Sequence, residues 1–383
     1  MLAARKIVIL MATYNGERYL CDQVQSIQRQ TISNWKLLVR DDGSQDNTRD
    51  ILKKLAKKDA RIRYVHDQLG CLGTTRNFGI LMRAALAEGA DAIFFCDQDD
   101  IWLPVKIAKQ LQCLQEMERR YTPGTPLLCY SDLEVVDQNL RQIHPSYMRY
   151  EKLEHEVQNP LHVLSTQNFV TGCALVINRT LLEFAMPIPH EIILHDWWLA
   201  LCAAACGRIE YIDEPLVQYR QHSRNQIGAV TLDRLVNLSA ARKRLSNIRE
   251  YMLGTIGQAQ ALHERIRGKP LHCSKGSLEL LDGLGSCLEQ SLVRRLWTVY
   301  RLPLRRQGPW RKLLLFFRVL LMRKEQEVKH ISPRGHHDQT VLLQAEQSPA
   351  GPLSERSQGR RGLAARNKGR RGVNKRTEEE KAL

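Results

Sequence analysis

Phe94-Phe95-Cys96-Asp97-Gln98-Asp99-Asp100-Ile101-Trp102 joins an apolar run directly to three carboxylates within four residues. Hard cations such as Mg²⁺ or Mn²⁺ take carboxylate oxygens. On an extended backbone Asp97 and Asp99 share one face and Gln98 takes the other. The run therefore has the local form of a site where a metal links protein to a polyphosphate at the end of a buried strand. An acidic turn uses the same residue types, so the surrounding chain decides between the two.

That surrounding chain alternates. Ile7 to Met11 predicts a first strand, followed by the loop Ala12 to Glu17 and, from Arg18, a helix with Leu20, Val24 and Ile27 at helical spacing. Trp35 to Val39 predicts a second strand that stops at Asp41-Asp42-Gly43-Ser44. A helix follows from about Asp46 to Lys58, then a strand Ile62 to Val65, a loop Gly70 to Thr75, a helix Asn77 to Ala87 and the strand Ala92 to Cys96. Strands alternating with helices specify an α/β fold with a mainly parallel, Rossmann-like sheet flanked by helices. Thr13-Tyr14-Asn15, Asp41-Asp42-Gly43-Ser44, Arg76-Asn77 and Asp97-Gln98-Asp99 all fall just beyond the carboxyl end of a strand, where an open α/β sheet has its ligand crevice. Each motif alone also reads as a turn, a cap or a surface ion pair; together they point to one site.

The 383 residues allow two domains. Residues 1–230 carry 26 Lys and Arg against 27 Asp and Glu, whereas residues 231–383 carry 31 against 14, so the formal +16 belongs to the C-terminal part. Such asymmetry suits a surface that meets phosphates, on lipid or nucleic acid. The ten cysteines are scattered, mostly inside apolar segments, and read as reduced core residues. Ile7 to Met11 is too short for a secretory signal, and no run reaches the roughly 18 apolar residues that cross a bilayer. The expectation is a protein neither exported by a recognisable signal nor spanning the membrane.

The series Ala12-Thr13-Tyr14-Asn15-Gly16, Leu38 to Asp46, Gly73-Thr74-Thr75-Arg76-Asn77 and Asp97 to Trp102 resembles a family 2 glycosyltransferase of the GT-A fold, over about residues 6 to 230. Within that family it is most similar to rhamnosyltransferase-like members of bacterial surface-polysaccharide pathways. The resemblance implies that Thr13 and Asp42, with Asp41 beside it, hold base and ribose. It places Tyr14, Asn15, Glu17, Arg76, Asp97 and Gln98 around the nucleotide sugar and gives Asp99 and Asp97 to the metal.

Transfer with inversion needs a base on the face opposite the departing diphosphate. In Ile192-Ile193-Leu194-His195-Asp196-Trp197-Trp198-Leu199 the resemblance assigns that role to Asp196, although an Asp here is also a good helix cap. Adjacent helical side chains diverge by about 100°, so Trp197 and Trp198 are not expected to face one core together, leaving one free to stack on an acceptor sugar. Thr166 to Ala174 is expected along the acceptor side, with Gly172 permitting close approach. Tyr219-Arg220-Gln221-His222, followed by Ser223 to Gly228, resembles the family's loop over the diphosphate, with Arg220 as phosphate clamp and His222 as a further metal or phosphate contact. The Gln-x-x-Arg-Trp box and membrane spans of processive synthases are missing, which favours addition of a single sugar.

Beyond residue 231 the pattern is basic and helical. Between Leu292 and Met322 eight Arg or Lys mix with Trp297, Tyr300, Trp310, Phe316 and Phe317, as in a helix lying in an anionic membrane interface. Residues 331–383 are too poor in large apolar groups to build a core and are expected to be disordered. The sequence thus divides into a GT-A domain (1–230), a basic helical extension (231–330) and a tail. The expectation is a cytoplasmic enzyme, peripheral on the inner face of the bacterial membrane. It would use Mg²⁺ or Mn²⁺ and move a sugar from dTDP-rhamnose or a UDP-sugar to a lipid-linked saccharide in O-antigen or related synthesis, with no nucleic acid partner. One rival is a sugar-phosphate nucleotidyltransferase, which would want a Gly-rich basic loop after the first strand. The other is a non-catalytic binding protein, which intact Asp42, Asp99 and Asp196 disfavour.

Overall fold

A computed structural model describes residues 5–222, 238–268, 273–305 and 307; in the helix that begins at Leu238, side chains are described from residue 250. In chain order the strands are β1 (Ile7–Thr13), β2 (Trp35–Asp41), β3 (Ile62–Tyr64), β4 (Ala92–Cys96), β5 (Ile101–Trp102), β6 (Leu127–Val136), β7 (Gln142–His144), β8 (Leu175–Asn178) and β9 (Arg208–Arg220). The helices are α1 (Leu20–Gln28), α2 (Thr48–Lys58), α3 (Thr74–Ala87), α4 (Lys106–Arg120), α5 (Tyr147–Tyr150), α6 (Pro160–Leu164), α7 (Arg179–Ala185), α8 (His195–Cys206), α9 (Leu238–Arg267), α10 (Lys275–Gly285) and α11 (Leu292–Arg301).

One sheet carries all nine strands in the order β3-β2-β1-β4-β8-β6-β9-β5, with β7 beside β6. From β3 to β4 the pairing is parallel; β8 runs antiparallel to both its neighbours. The strand order reverses between β1 and β4, so the loops leaving these two strands part and open a crevice at their carboxyl ends. The parallel strands read as unbroken apolar runs because both faces are covered. Ile9, Met11, Val39 and Phe94 lie under Val24 of α1 and Ile107 and Leu114 of α4. Val8, Leu10, Ile93 and Phe95 lie under Phe78 and Leu81 of α3 and the residues of α8.

Helix α8 is buried around its whole circumference, the mark of a helix packed on every side. This corrects the expectation of one free indole: Trp197 and Trp198 are 1% and 0% exposed. Their side chains do diverge, but each meets protein. The Trp197 indole N–H donates to the Leu164 carbonyl at 2.6 Å, and that of Trp198 to the Ala185 carbonyl at 3.0 Å.

The second cover comes from α9, whose Met252, Ile256, Ala259, Leu262 and Ile266 form a buried stripe against the same core, with Leu280, Leu281 and Leu284 of α10 beyond it. On α11, Arg295 and Val299 are buried, whereas Leu292, Val293, Trp297 and Tyr300 are exposed. Among the described residues no helix is long and apolar enough to cross a membrane. The loop Ser223 to Gly228, the basic and aromatic positions from 308 to 322, and the tail from 331 lie outside the described residues.

Candidate active site

The crevice is bordered by Thr13, Tyr14, Asn15 and Glu17 after β1, Asp42 after β2, Asp97, Gln98 and Asp99 after β4, Asn168 to Gly172, His195 and Asp196 at the start of α8, and His222 after β9. Segments far apart in sequence therefore share one cleft. Arg76 sits half-buried on the first turn of α3 and does not border the cleft.

Hydrogen bonds between loops shape the side of the cleft formed by the ends of β1, β2 and β4. Asp97 to Asp100 form a bend between β4 and β5, so the strand alternation expected there does not hold. Gln98 turns toward the loop after β1: Tyr14 N donates to its Oε1 at 2.9 Å, and its Nε2 donates to Tyr14 O at 3.0 Å. Asn15, at φ 49°, accepts from Gln45 N through Oδ1 at 2.8 Å, and Glu17 accepts from Asn47 N at 3.0 Å, tying the first loop to the second. Asp41 is a turn organiser. Its carboxylate accepts from Ser44 N at 2.9 Å, Gly43 N at 3.2 Å and Arg49 Nε at 2.9 Å, and it does not border the cleft. Asp42 does. It accepts from Leu72 N at 2.9 Å, Gly73 N at 2.8 Å and the buried Arg40 at 2.8 Å, and so fixes the loop that enters α3.

Arg220 is not where a phosphate clamp would be. It lies 3% exposed beneath the acidic bend, and its guanidinium donates to Asp99 O at 2.8 Å and Gln138 O at 2.9 Å while stacking over Tyr19. Its backbone N–H donates to Asp100 Oδ1 at 3.1 Å. It ended β9 in a motif that reads as ligand-binding, but burial and the carbonyls around it make it a support for the loop. Among the described residues, the exposed cation on the cleft border is Arg18, which lies over the same Tyr19 ring; an isolated Arg at a helix entry gave no sequence signal.

The acidic bend gathers oxygen donors of the kind a divalent cation takes. Asp97 and Asp99 both border the cleft, and His222 Nε2 lies 2.9 Å from Asp99 Oδ2. Ligand atoms of Asp97, Asp100 and Cys173 also lie within 4.8 Å of one another. Burial, then Asp99 and Asp196, push the Asp97 carboxyl up to about 7, the condition that a cation would relieve. Burial likewise raises the Cys173 thiol well above its ordinary value, and a protonated thiol is no partner for a hard ion. Asp100 is fully buried behind the bend. The oxygen-rich set facing the cleft is Asp97 and Asp99, with His222 beside them.

Also bordering the cleft, Asp196 is 9% exposed on the first turn of α8. Burial raises its carboxyl to about 6, opposed by the backbone amides of Trp197 and Gly172. The charge of Asp196 reaches Asp97 across the cleft. Gly172 packs closely on two groups: a Cβ there would stand 3.2 Å from His195 Nε2 and 3.3 Å from Asp196 Oδ2. The resemblance makes His195 the first member of a His-Asp pair whose base is assigned to Asp196, and the structure places it on the cleft beside Asp196.

An α/β fold with polar loops gathered at a switch point, and with carboxylates from the bend and from α8 on one cleft, has the form of a ligand-binding enzyme site. The family model for glycosyl transferase family 2 matches residues 8–178. Relatives include the dTDP-rhamnosyl transferase RfbG of Shigella flexneri, 31% identical over 250 residues, which are 62% of this chain and 79% of that protein. Another is UDP-Glc:alpha-D-GlcNAc-diphosphoundecaprenol beta-1,3-glucosyltransferase WfgD of Escherichia coli, 30% identical over 198 residues, 50% of this chain and 68% of that protein. The chain belongs to glycosyltransferase family 2, and its sheet of parallel β3-β2-β1-β4 continued by mixed strands is the GT-A arrangement.

Gly172→Ala tests how closely this wall is built. The added methyl crowds His195 and Asp196 without straining the backbone, so turnover should fall by about tenfold to a hundredfold, with the thermal unfolding midpoint almost unchanged. Wild-type turnover in the variant would show that the wall yields freely.

Proposed function

We propose that this glycosyltransferase moves a single sugar from a nucleoside diphosphate sugar to a saccharide carried on a lipid, with inversion, during surface-polysaccharide assembly. The observation that carries the reading is that Asp97, Asp99 and Asp196 border one cleft and that the charge of Asp196 acts on Asp97. Bound donor would place its diphosphate at the acidic bend and its anomeric carbon toward α8. The acceptor hydroxyl then attacks that carbon from the α8 side; its proton passes to the Asp196 carboxylate, the new glycosidic C–O bond forms, and the bond to the diphosphate oxygen breaks, releasing a nucleoside diphosphate. Asp97 and Asp99, with His222, would hold Mg²⁺ or Mn²⁺, which when bound neutralises charge on the leaving diphosphate.

The relatives' names support a pyrimidine nucleotide donor, dTDP-rhamnose or a UDP-sugar, and a diphosphoundecaprenol-linked acceptor. A lipid acceptor calls for a lipid-facing surface. Exposed Val293, Trp297 and Tyr300 on α11, with Arg301 over Trp297, support contact of the basic helical region with an anionic leaflet. That contact would make the enzyme peripheral on the cytoplasmic face.

Three outcomes test the reading. Asp99→Asn should abolish metal-dependent transfer while leaving the fold intact; near-wild-type turnover that still needs metal would remove Asp99 from the ligand set. Asp196→Asn should lower kcat by roughly 10² to 10⁴ fold with donor affinity little changed. Because the base must be ionised, kcat/KM of the wild type should rise with pH and level off above about 6, the value to which burial lifts Asp196. An equal loss of donor binding in Asp196→Asn, or a flat profile between pH 5 and 7, would make Asp196 a structural cap.

The full-length protein should sediment with anionic vesicles at low salt and be released as salt rises. Replacing Trp297, Tyr300 and Arg301 together by Ala should weaken this at least severalfold while nucleotide-sugar hydrolysis persists. Unchanged sedimentation would take α11 out of the interface.

A further inference from the structure

His195 stands out among the buried polar groups. It is 5% exposed and borders the cleft, yet neither ring nitrogen meets a protein partner. Buried polar groups without partners are rare because each forfeits its hydration. The ring is not free to swing toward one: it stacks on Phe78 with centroids 3.9 Å apart and on Phe95 at 5.5 Å. That packing holds the imidazole edge beside Gly172, where a Cβ would stand 3.2 Å from Nε2 and 3.3 Å from the Oδ2 of Asp196, so both groups lie against the same glycine. Burial pushes the imidazole down to about 3, so at neutral pH it presents one N–H and one bare nitrogen. A neutral imidazole fixed this way suits a hydroxyl, which both donates and accepts.

We propose that His195 is a sugar-binding residue, whose imidazole hydrogen-bonds a hydroxyl of the donor or acceptor sugar beside the atom that Asp196 deprotonates. This rests on the glycosyl-transfer reading of the cleft. The hydroxyl neighbour orients the sugar for attack and sets a preference for saccharides that carry it, since a site built around a hydroxyl rejects a ligand lacking it.

The test compares His195→Leu, which keeps an apolar filling between Phe78 and Phe95, with His195→Asn, which restores a donor and an acceptor. Unfolding midpoints, binding of dTDP and UDP, hydrolysis of dTDP-rhamnose and UDP-glucose without acceptor, and transfer are measured for both. His195→Leu should unfold at or above the wild-type temperature and bind the sugar-free nucleotides normally, while transfer kcat/KM drops about 10- to 100-fold. His195→Asn should recover most of that loss. Should the hydroxyl belong to the donor, hydrolysis and affinity for the intact nucleotide sugar fall in parallel with transfer. Should it belong to the acceptor, hydrolysis stays at the wild-type rate and acceptor KM rises.

A leucine variant with wild-type kcat/KM overturns the proposal, as do leucine and asparagine variants impaired alike, which would make the ring a packing element. If the leucine variant melts far below the wild type, the asparagine variant and its KM against kcat decide by the same criteria. Wild-type protein that neither hydrolyses nor transfers any nucleotide sugar overturns the underlying reading as well, and is distinguished by failing before any substitution.

Discussion

Carboxylates held close together in a half-dry cleft are the constraint on which the rest of this molecule depends. Asp97, Asp99 and Asp100 follow one another around a single bend, and Asp196 borders the same cleft as Asp97 and Asp99. Each would ionise freely in water; here burial and mutual repulsion hold Asp97 near 7 and raise Asp100 well above its ordinary value. Left alone, such a bend would open to solvent. Arg220 stops this from below, fixing the bend by a backbone N–H to Asp100 and a guanidinium bond to the Asp99 carbonyl. Farther down, Lys106 is fully buried against the Trp102 ring and bonded to Gln110, its ammonium lowered to about 8 by burial. The positive charge lies under the loop and the negative charge faces the cleft, the polarity that a cation-bridged diphosphate needs. Cation binding at such a bend would displace protons, because Asp97 has to ionise before it can act as a ligand.

The fold and the residue types of this site were legible because they follow from local rules. Both ends of β4 fall where the apolar run and the first Asp put them, since a strand covered on two faces shows its length directly. The gathering of polar loops followed from strand order alone. What each side chain does was less legible, because it depends on partners far along the chain. Gln98 is bonded to Tyr14, Asn15 to Gln45, and Asp42 to Leu72 and Gly73; no spacing within a motif reveals such pairings. The same holds for Arg220, whose burial is decided by residues 120 positions away. The two indoles failed differently: the argument from their divergence was sound for a helix covered on one side, but α8 is covered on all.

That complete cover ties the chemistry to the C-terminal helices. The first turn of α8 carries His195 and Asp196, and its next residue, Trp197, packs on Tyr251 of α9 with ring centroids 5.3 Å apart. Tyr251 also donates its hydroxyl to the Thr166 carbonyl at 3.2 Å and borders the cleft itself. The extension that reads in sequence as an appended basic region therefore builds part of the cleft wall beside Asp196. Through the buried stripe of α9 and the leucines of α10, this wall is continuous in packing with α11 and its exposed aromatic face. Close-packed interiors transmit position with little slack. On the proposed reading, the surface that meets the lipid and the carboxylate that takes the acceptor proton belong to one packed body. A membrane-held acceptor would then reach the base at a set height above the leaflet, and selection for acceptors of a given length would reside in the α8–α9–α10–α11 stack, outside the nucleotide loops altogether.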